Sequence, residues 1–187
     1  MKYFWIVVAA VSLVACPLMA QDNPRAEIFG GYQYLHTGDI QSITNSGQGF
    51  NGWNVAVTGN LSKHFGLTGD FSGSYATVQG VSLHTYTYTG GPVVFANLGN
   101  IKPFAHALLG GINLGGSQSG VSVSFNGFTT MIGGGIDARV ADRFAVRLVQ
   151  VDWVYYHFGD QTVAGIQVPS FSQSNNVRIS TGIVFRF

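Results

Sequence analysis

Period-two alternation of apolar and polar side chains, links between the alternating segments that are in turn short and long, and a composition only 9% charged together predict one fold class. It is all-β: an eight-stranded antiparallel up-and-down β-barrel of the transmembrane kind, preceded by a signal peptide. The last twelve residues show the pattern most plainly. In steps of two, Val177, Ile179, Thr181, Ile183, Phe185 and Phe187 form one face, and Asn176, Arg178, Ser180, Gly182, Val184 and Arg186 form the other. A two-residue period marks a strand. A strand that is greasy on one side and charged on the other suits a soluble sheet over a dry core or a membrane barrel with a polar lumen. Composition favours the second, because a soluble domain usually carries about 25% charged residues and this chain has few with which to face water. A net charge of +1 supplies no basic stripe for nucleic acid, so that partner is excluded.

Residues 1–20 carry one early charge, Lys2, then an apolar run over 3–15 and small residues ahead of the polar segment 21–25. This is the build of a secretory signal peptide, with the barrel domain over 21–187. The run is shorter than the about 20 apolar residues of a membrane helix, and no later stretch approaches that length, so export without a helical anchor is expected. Cleavage after Ala20 puts Leu18 at position minus three. Lipidation at Cys16 is the alternative, since Leu13-Val14-Ala15-Cys16 resembles a lipobox, although Pro17 follows the cysteine directly. Cys16 is the only cysteine. Cleavage at Ala20 leaves neither a disulfide nor a thiolate metal site.

Eight strands follow, at 26–35, 52–61, 65–76, 83–95, 103–113, 128–140, 144–156 and 175–187. In the first, Ile28, Tyr32 and Tyr34 oppose Glu27, Phe29 and Gln33; in the second, Trp53, Val55 and Val57 oppose Asn54, Ala56 and Thr58. In the third, Leu67, Phe71 and Tyr75 oppose Thr68, Asp70 and Ser72; in the fourth, Tyr86 and Tyr88 oppose Thr85 and Thr87. Short links at 62–64, 96–101 and 141–143 alternate with long ones at 36–51, 77–82, 114–127 and 157–174. Bacterial membrane barrels have short periplasmic turns and long external loops, which puts both termini in the periplasm. Tyr32, Tyr34, Trp53, Tyr75, Tyr86, Trp153 and Tyr155 then gather at the long-loop ends and Phe65, Phe144 and Phe187 at the short-turn ends, as two aromatic girdles require.

With the apolar faces outward, Glu27, Asp70, Asp137, Arg139, Arg178 and Arg186 point inward. Arg147 and Asp152 differ in parity, and an arginine facing lipid at midplane costs about 2 to 4 kcal/mol. A β-bulge between Leu148 and Gln150 resolves the conflict and sends Arg147, Gln150 and Asp152 inward together. Four acids, Glu27, Asp70, Asp137 and Asp152, then meet four arginines, Arg139, Arg147, Arg178 and Arg186. Buried charges persist when paired, so an interior salt-bridge ladder is expected. Eight strands leave a bore that side chains can fill, and a plugged barrel with water pockets follows.

The chain resembles the small eight-stranded outer-membrane barrels of the OmpA transmembrane-domain type. The resemblance is carried by Ala26-Glu27-Ile28-Phe29-Gly30-Gly31-Tyr32, Gly69-Asp70-Phe71, Gly133-Gly134-Gly135-Ile136-Asp137, Arg147-Leu148-Val149-Gln150-Val151-Asp152-Trp153 and the stretch from Arg178 to Phe187. It implies residence in the bacterial outer membrane after export through the periplasm, amid outer-membrane lipid and lipopolysaccharide. It also implies insertion by the barrel-assembly machinery, with Phe185 and Phe187 similar to the assembly signal. No counterpart of OmpA's peptidoglycan-binding domain follows the eighth strand, so no tether to the cell wall is expected.

Some barrels of this size act on lipid A, and an acyl hydrolase needs a nucleophile beside an oriented base. Ser82 with His84, and His157 with Asp160 and a serine of 170–174, are the candidates. Neither has the His-x-Ser spacing associated with deacylase barrels, and rim serines are common loop residues. No catalytic residue, cofactor or metal is therefore assigned. His106 is expected to hydrogen-bond a lumen carboxylate, and Gly133 to Gly135 to serve close backbone packing, since no strand-to-helix turn follows them. The uncharged loops 37–51 and 115–127 suit either recognition or mere solubility, and their ligand stays open. The expected role is non-enzymatic, structural or surface-interacting, with a lumen closed by its charges. The alternatives are a narrow ion or small-solute channel gated by those charges and, further off, a lipid A hydrolase. A soluble lipocalin-like barrel is the remaining alternative fold.

Overall fold

The computed structural model describes residues 25–38, 47–78, 80–118, 121–163 and 166–187. The expected signal peptide over 1–20, Cys16 included, and residues 39–46 of the first expected long loop lie outside the described residues. Strands β1 (Ala26–Thr37), β2 (Gln48–Asn60), β3 (Phe65–Val78), β4 (Val81–Phe95), β5 (Ile101–Gln118), β6 (Val121–Ala141) and β7 (Phe144–Phe158) are followed by a small pair, β8 (Gln161–Val163) and β9 (Ile166–Val168), and by β10 (Phe171–Arg186). Eight of these close into an antiparallel barrel, in the order β1-β10-β7-β6-β5-β4-β3-β2, while β8 and β9 pair only with each other. Among the described residues no helix is long and apolar enough to cross a membrane.

The alternation of the sequence becomes the two faces of one wall. Ile28, Val55, Val57, Leu67, Phe71, Ile132, Ile136, Val151, Ile179 and Ile183 are exposed on the outside, whereas Glu27, Asn54, Asp70, Asp137, Asp152 and Arg178 are buried within. The girdle aromatics Tyr32, Tyr34, Tyr75, Trp153, Phe65, Phe144 and Phe187 all face outward. A walk around the wall from Ala26 passes Gly59, Leu67 and Pro92, crosses β5 at Ala107, which lies between the paired Gly90–Leu109 and Val93–His106, then passes Ile132, Trp153 and Val177 and returns to β1 at His36. That stagger of about ten residues is the shear that tilts the strands and, with eight of them, sets a narrow bore.

At position 148 the β7 strand carries one residue more than its neighbours. Gln150 pairs with Ser180 and Arg147 with Gly182 on one side; Val149 pairs with Ile136 and Arg147 with Asp137 on the other. Leu148 and Val149 both point outward in succession, so Arg147, Gln150 and Asp152 all turn inward. The bulge thus spares an arginine from lipid.

The glycines of 133–135 sit where strands crowd together. A Cβ on Gly133 would strike Asp152 Oδ1 and one on Gly134 the Phe104 carbonyl, while one on Gly135 would lie 2.8 Å from the Phe104 ring.

The loops differ most from expectation. Residues 115–127, expected as a loop, belong mainly to a hairpin in which β5 and β6 pair from Ile101 with Ala138 out to Gln118 with Val121. These strands run 18 and 21 residues, well beyond the about 9 to 11 that cross a bilayer. Serine and glycine suggest loop chemistry, but here the His84 ring covers Gly115, supplying the packing that glycine lacks. The β8–β9 pair lies within the stretch 157–174, also expected as a loop.

Candidate functional site

Among the described residues every buried charge lies in the lumen, whose surroundings fall into two layers. Toward the long-loop end Leu35, Phe50, Leu108, Ile112, Met131, Val154, Tyr156 and Phe158 form one apolar cluster. A second and smaller cluster, Phe29, Ala56, Ala145 and Val184, lies toward the short turns. Between and beside them runs the polar layer.

Arg178 is the centre of that layer, with its side chain 2% exposed. Its Nη1 donates to Asp70 Oδ1 at 2.8 Å and its Nη2 to Asp70 Oδ2 at 3.2 Å, while Nε donates to Asp152 Oδ2 at 2.8 Å. One guanidinium thus ties β3 to β7 across the bore, using the planar fork that lysine lacks. Asn54 Nδ2 adds a bond to Asp70 at 2.9 Å. Asp152, wholly buried, also accepts from Gln150 Nε2 at 2.7 Å and lies 2.8 Å from His106 Nε2. Gln150 Oε1 in turn accepts from Arg147 Nη1 at 2.6 Å, and Arg147 grips Asp137 through Nε at 2.8 Å and Nη2 at 3.1 Å. The Arg147 guanidinium is held between the Phe29 and Phe104 rings, 4.3 Å from each centroid, an arrangement that favours a desolvated cation. The chain of bonds from Asp70 to Asp137 is continuous and draws on β2, β3, β5, β6, β7 and β10.

Near the short turns Lys102 Nζ donates to both oxygens of Glu27, at 2.8 and 2.7 Å, and stands 3.9 Å over the Phe95 ring. Arg186 Nε lies 3.4 Å from Glu27 Oε1. Arg139 corrects the expected ladder. It does not enter the lumen network but sits at the rim, its side chain 45% exposed and bonded to Asp142 at 3.0 Å. It is near the end of β6, where the register with β7 shifts between Arg139 and Ala141. Lys102 takes its place, so four acids still face four cations. Alternation places the end of the short link at Ile101 and the start of the fifth strand at Pro103, so Lys102 falls in neither; β5 begins at Ile101.

Little space remains. The cavity beside the ladder, bordered by Asp70, His106, Arg147 and Gln150, measures about 20 Å³, room for about one water. A wider cavity of about 210 Å³ opens at the short-turn end.

Of the hydrolase candidates, the structure brings His157 to a serine of 170–174 but without Asp160. His157 Nδ1 lies 2.8 Å from Ser172 Oγ, which also accepts from Tyr155 OH at 3.1 Å. Asp160 does not orient that histidine: it accepts the Ser170 backbone N–H at 2.6 Å. His84 packs against the Tyr86 ring, with centroids 5.5 Å apart. Among the described residues no cluster of three or more His, Cys, Asp and Glu could hold a metal ion.

A family model described as an outer membrane protein beta-barrel domain matches residues 6–187. The chain belongs to that family. It resides in the bacterial outer membrane. Among solved structures it is similar to Neisserial surface protein A, at 8% identity over 89% of this chain and 100% of the other, with a TM-score of 0.65. The N-terminal β-barrel domain of Pseudomonas aeruginosa OprF aligns at 10% identity over 89% and 100%, TM-score 0.59. Ail, the attachment invasion locus protein of Yersinia pestis, aligns at 15% identity over 88% and 99%, TM-score 0.55. At such identities these likenesses describe the fold alone. No curated protein matches the sequence.

Proposed function

We propose that this chain is a non-enzymatic outer-membrane barrel with a structural or surface-interaction role, its lumen sealed rather than conducting. The observation that carries this reading is the Asp70–Arg178–Asp152 bridge, buried across the bore beneath the apolar cluster of Leu108, Ile112 and Met131. Water would have to breach both layers to pass. The outer part of the β5–β6 hairpin, which has no charged residue over 114–127, extends beyond the bilayer and supplies the outward surface. Partners on this reading are outer-membrane lipid and lipopolysaccharide at the wall, and the barrel-assembly machinery during insertion. Phe185 and Phe187 would act as the assembly signal, their ring centroids 4.9 Å apart and Phe185 edge-on to Phe144 at 4.6 Å.

A narrow channel would require the ladder to open, with Arg178 releasing Asp70 or Asp152, both of which it holds at once. Purified protein in planar bilayers is expected to stay silent, and reproducible unitary currents would replace the sealed reading with the channel. The 2.8 Å approach of His157 to Ser172 motivates a second check on hydrolysis. Mass spectra of lipid A from cells with and without the gene are expected to coincide, and loss of an acyl chain only in its presence would make the protein an enzyme.

A further inference from the structure

The cavity at the short-turn end is a blind cup, closed above by the ladder, and its charges do not cancel. Lys102 and Glu27 form a close pair at 2.7 Å, and Asp137 is held by both arms of Arg147. Two guanidinium groups of the lining remain, Arg139 and Arg186. Among the described residues Arg139 is ion-paired with Asp142, whose side chain is 98% exposed, and exposed pairs are weak. Arg186 is the more telling of the two. Its side chain is mostly buried and its Nε lies 3.4 Å from Glu27 Oε1, a carboxylate already bonded by Lys102, yet that Nε makes no hydrogen bond. A buried charged donor without an acceptor is costly, and the cavity it borders, about 210 Å³, holds several water-sized groups. Arg25, Lys63 and Arg143 add positive charge around the same end, where Asp142 is the only exposed acidic side chain among the described residues.

From these observations we infer that the periplasmic cup binds a small oxyanion, a phosphate or carboxylate group, between Arg139 and Arg186 with Lys102 at its inner wall. The chemistry fits: guanidinium forks match such groups bidentately, and a concave low-dielectric wall concentrates the field of the surrounding cations. The blind end limits the ligand to a group that enters and leaves by the periplasm.

The test is a titration of the isotopically labelled barrel in zwitterionic detergent with inorganic phosphate, followed by NMR, against chloride at matched ionic strength. Amide signals of Gly99, Lys102, Arg139 and Arg186 are expected to shift and saturate with phosphate and not with chloride. Arg139→Gln, at the exposed rim where folding is safe, is expected to weaken binding at least tenfold. Arg186→Gln, with folding checked by the gel-mobility shift, is expected to abolish it. Linear shifts shared with chloride, or a folded Arg139→Gln barrel that titrates like the parent, would overturn the site. Repeating the titration in phosphatidylcholine and phosphatidylglycerol nanodiscs identifies the source. If phosphatidylglycerol suppresses the phosphate response, a lipid headgroup is the natural ligand; an undiminished response assigns a soluble periplasmic oxyanion.

Discussion

The two halves of the lumen exclude water by different physics. Toward the long-loop end Leu108, Ile112, Met131 and Val154 do so by filling space, each buried without needing a specific partner. Deeper in, Arg178, Asp70, Asp152, Arg147 and Asp137 do so only as a complete set, since each buried charge is stabilised by a named neighbour. The apolar half should therefore tolerate exchange of one shape for another. The charged half should tolerate almost no single loss, because removing one partner strands the other in a low-dielectric interior.

The largest effect is expected from Asp152→Ala, which orphans Arg178 on one side and removes the acceptor of Gln150 and the partner of His106. Thermal unfolding of the refolded barrel should reveal a loss of about 3 to 5 kcal/mol. Leu108→Ala should follow, at about 2 to 5 kcal/mol for a buried cavity, while Leu108→Met, which keeps the volume, should cost less than about 1.5 kcal/mol. If the methionine variant melts as low as the alanine one, the contrast between the halves fails. Arg147→Lys keeps the charge but gives up the double grip on Asp137 and the flat seat between Phe29 and Phe104. A loss of about 1 to 2 kcal/mol, near the worth of a desolvated cation–π contact, is expected in the same melting assay. Smallest of all is Arg139→Gln, whose exposed partner Asp142 contributes little. Its melting curve should overlay the parent's, whereas a clear drop would return Arg139 to the ladder.

Much of the charged half was legible because charge and parity are both visible in sequence. Arg147 and Asp152 could not share a face on a regular strand, and that conflict was enough to locate the extra residue at Leu148. The apolar half was not legible. Leu35, Leu108, Met131 and Val154 occupy inward positions of strands that are also apolar outward, so alternation carries no signal there and only closure of the barrel assigns a side. Lys102 was lost through a proline, because Pro103 reads as a strand's first residue whereas β5 starts at Ile101. The length of the β5–β6 hairpin was masked by glycines whose packing comes from a ring on the next strand, as His84 provides for Gly115.

If the deep layer acts as one coupled unit, a double-mutant cycle across its central bridge will show it. Asp152→Asn, Arg178→Met and the pair should be compared by equilibrium unfolding of the refolded barrel in a single detergent. Losing both partners together should cost far less than the two single losses summed, with a coupling of about 2 kcal/mol or more. Additivity within about 0.5 kcal/mol would mean that Arg178 and Asp152 are neighbours without interdependence, and the sealed lumen would need another explanation.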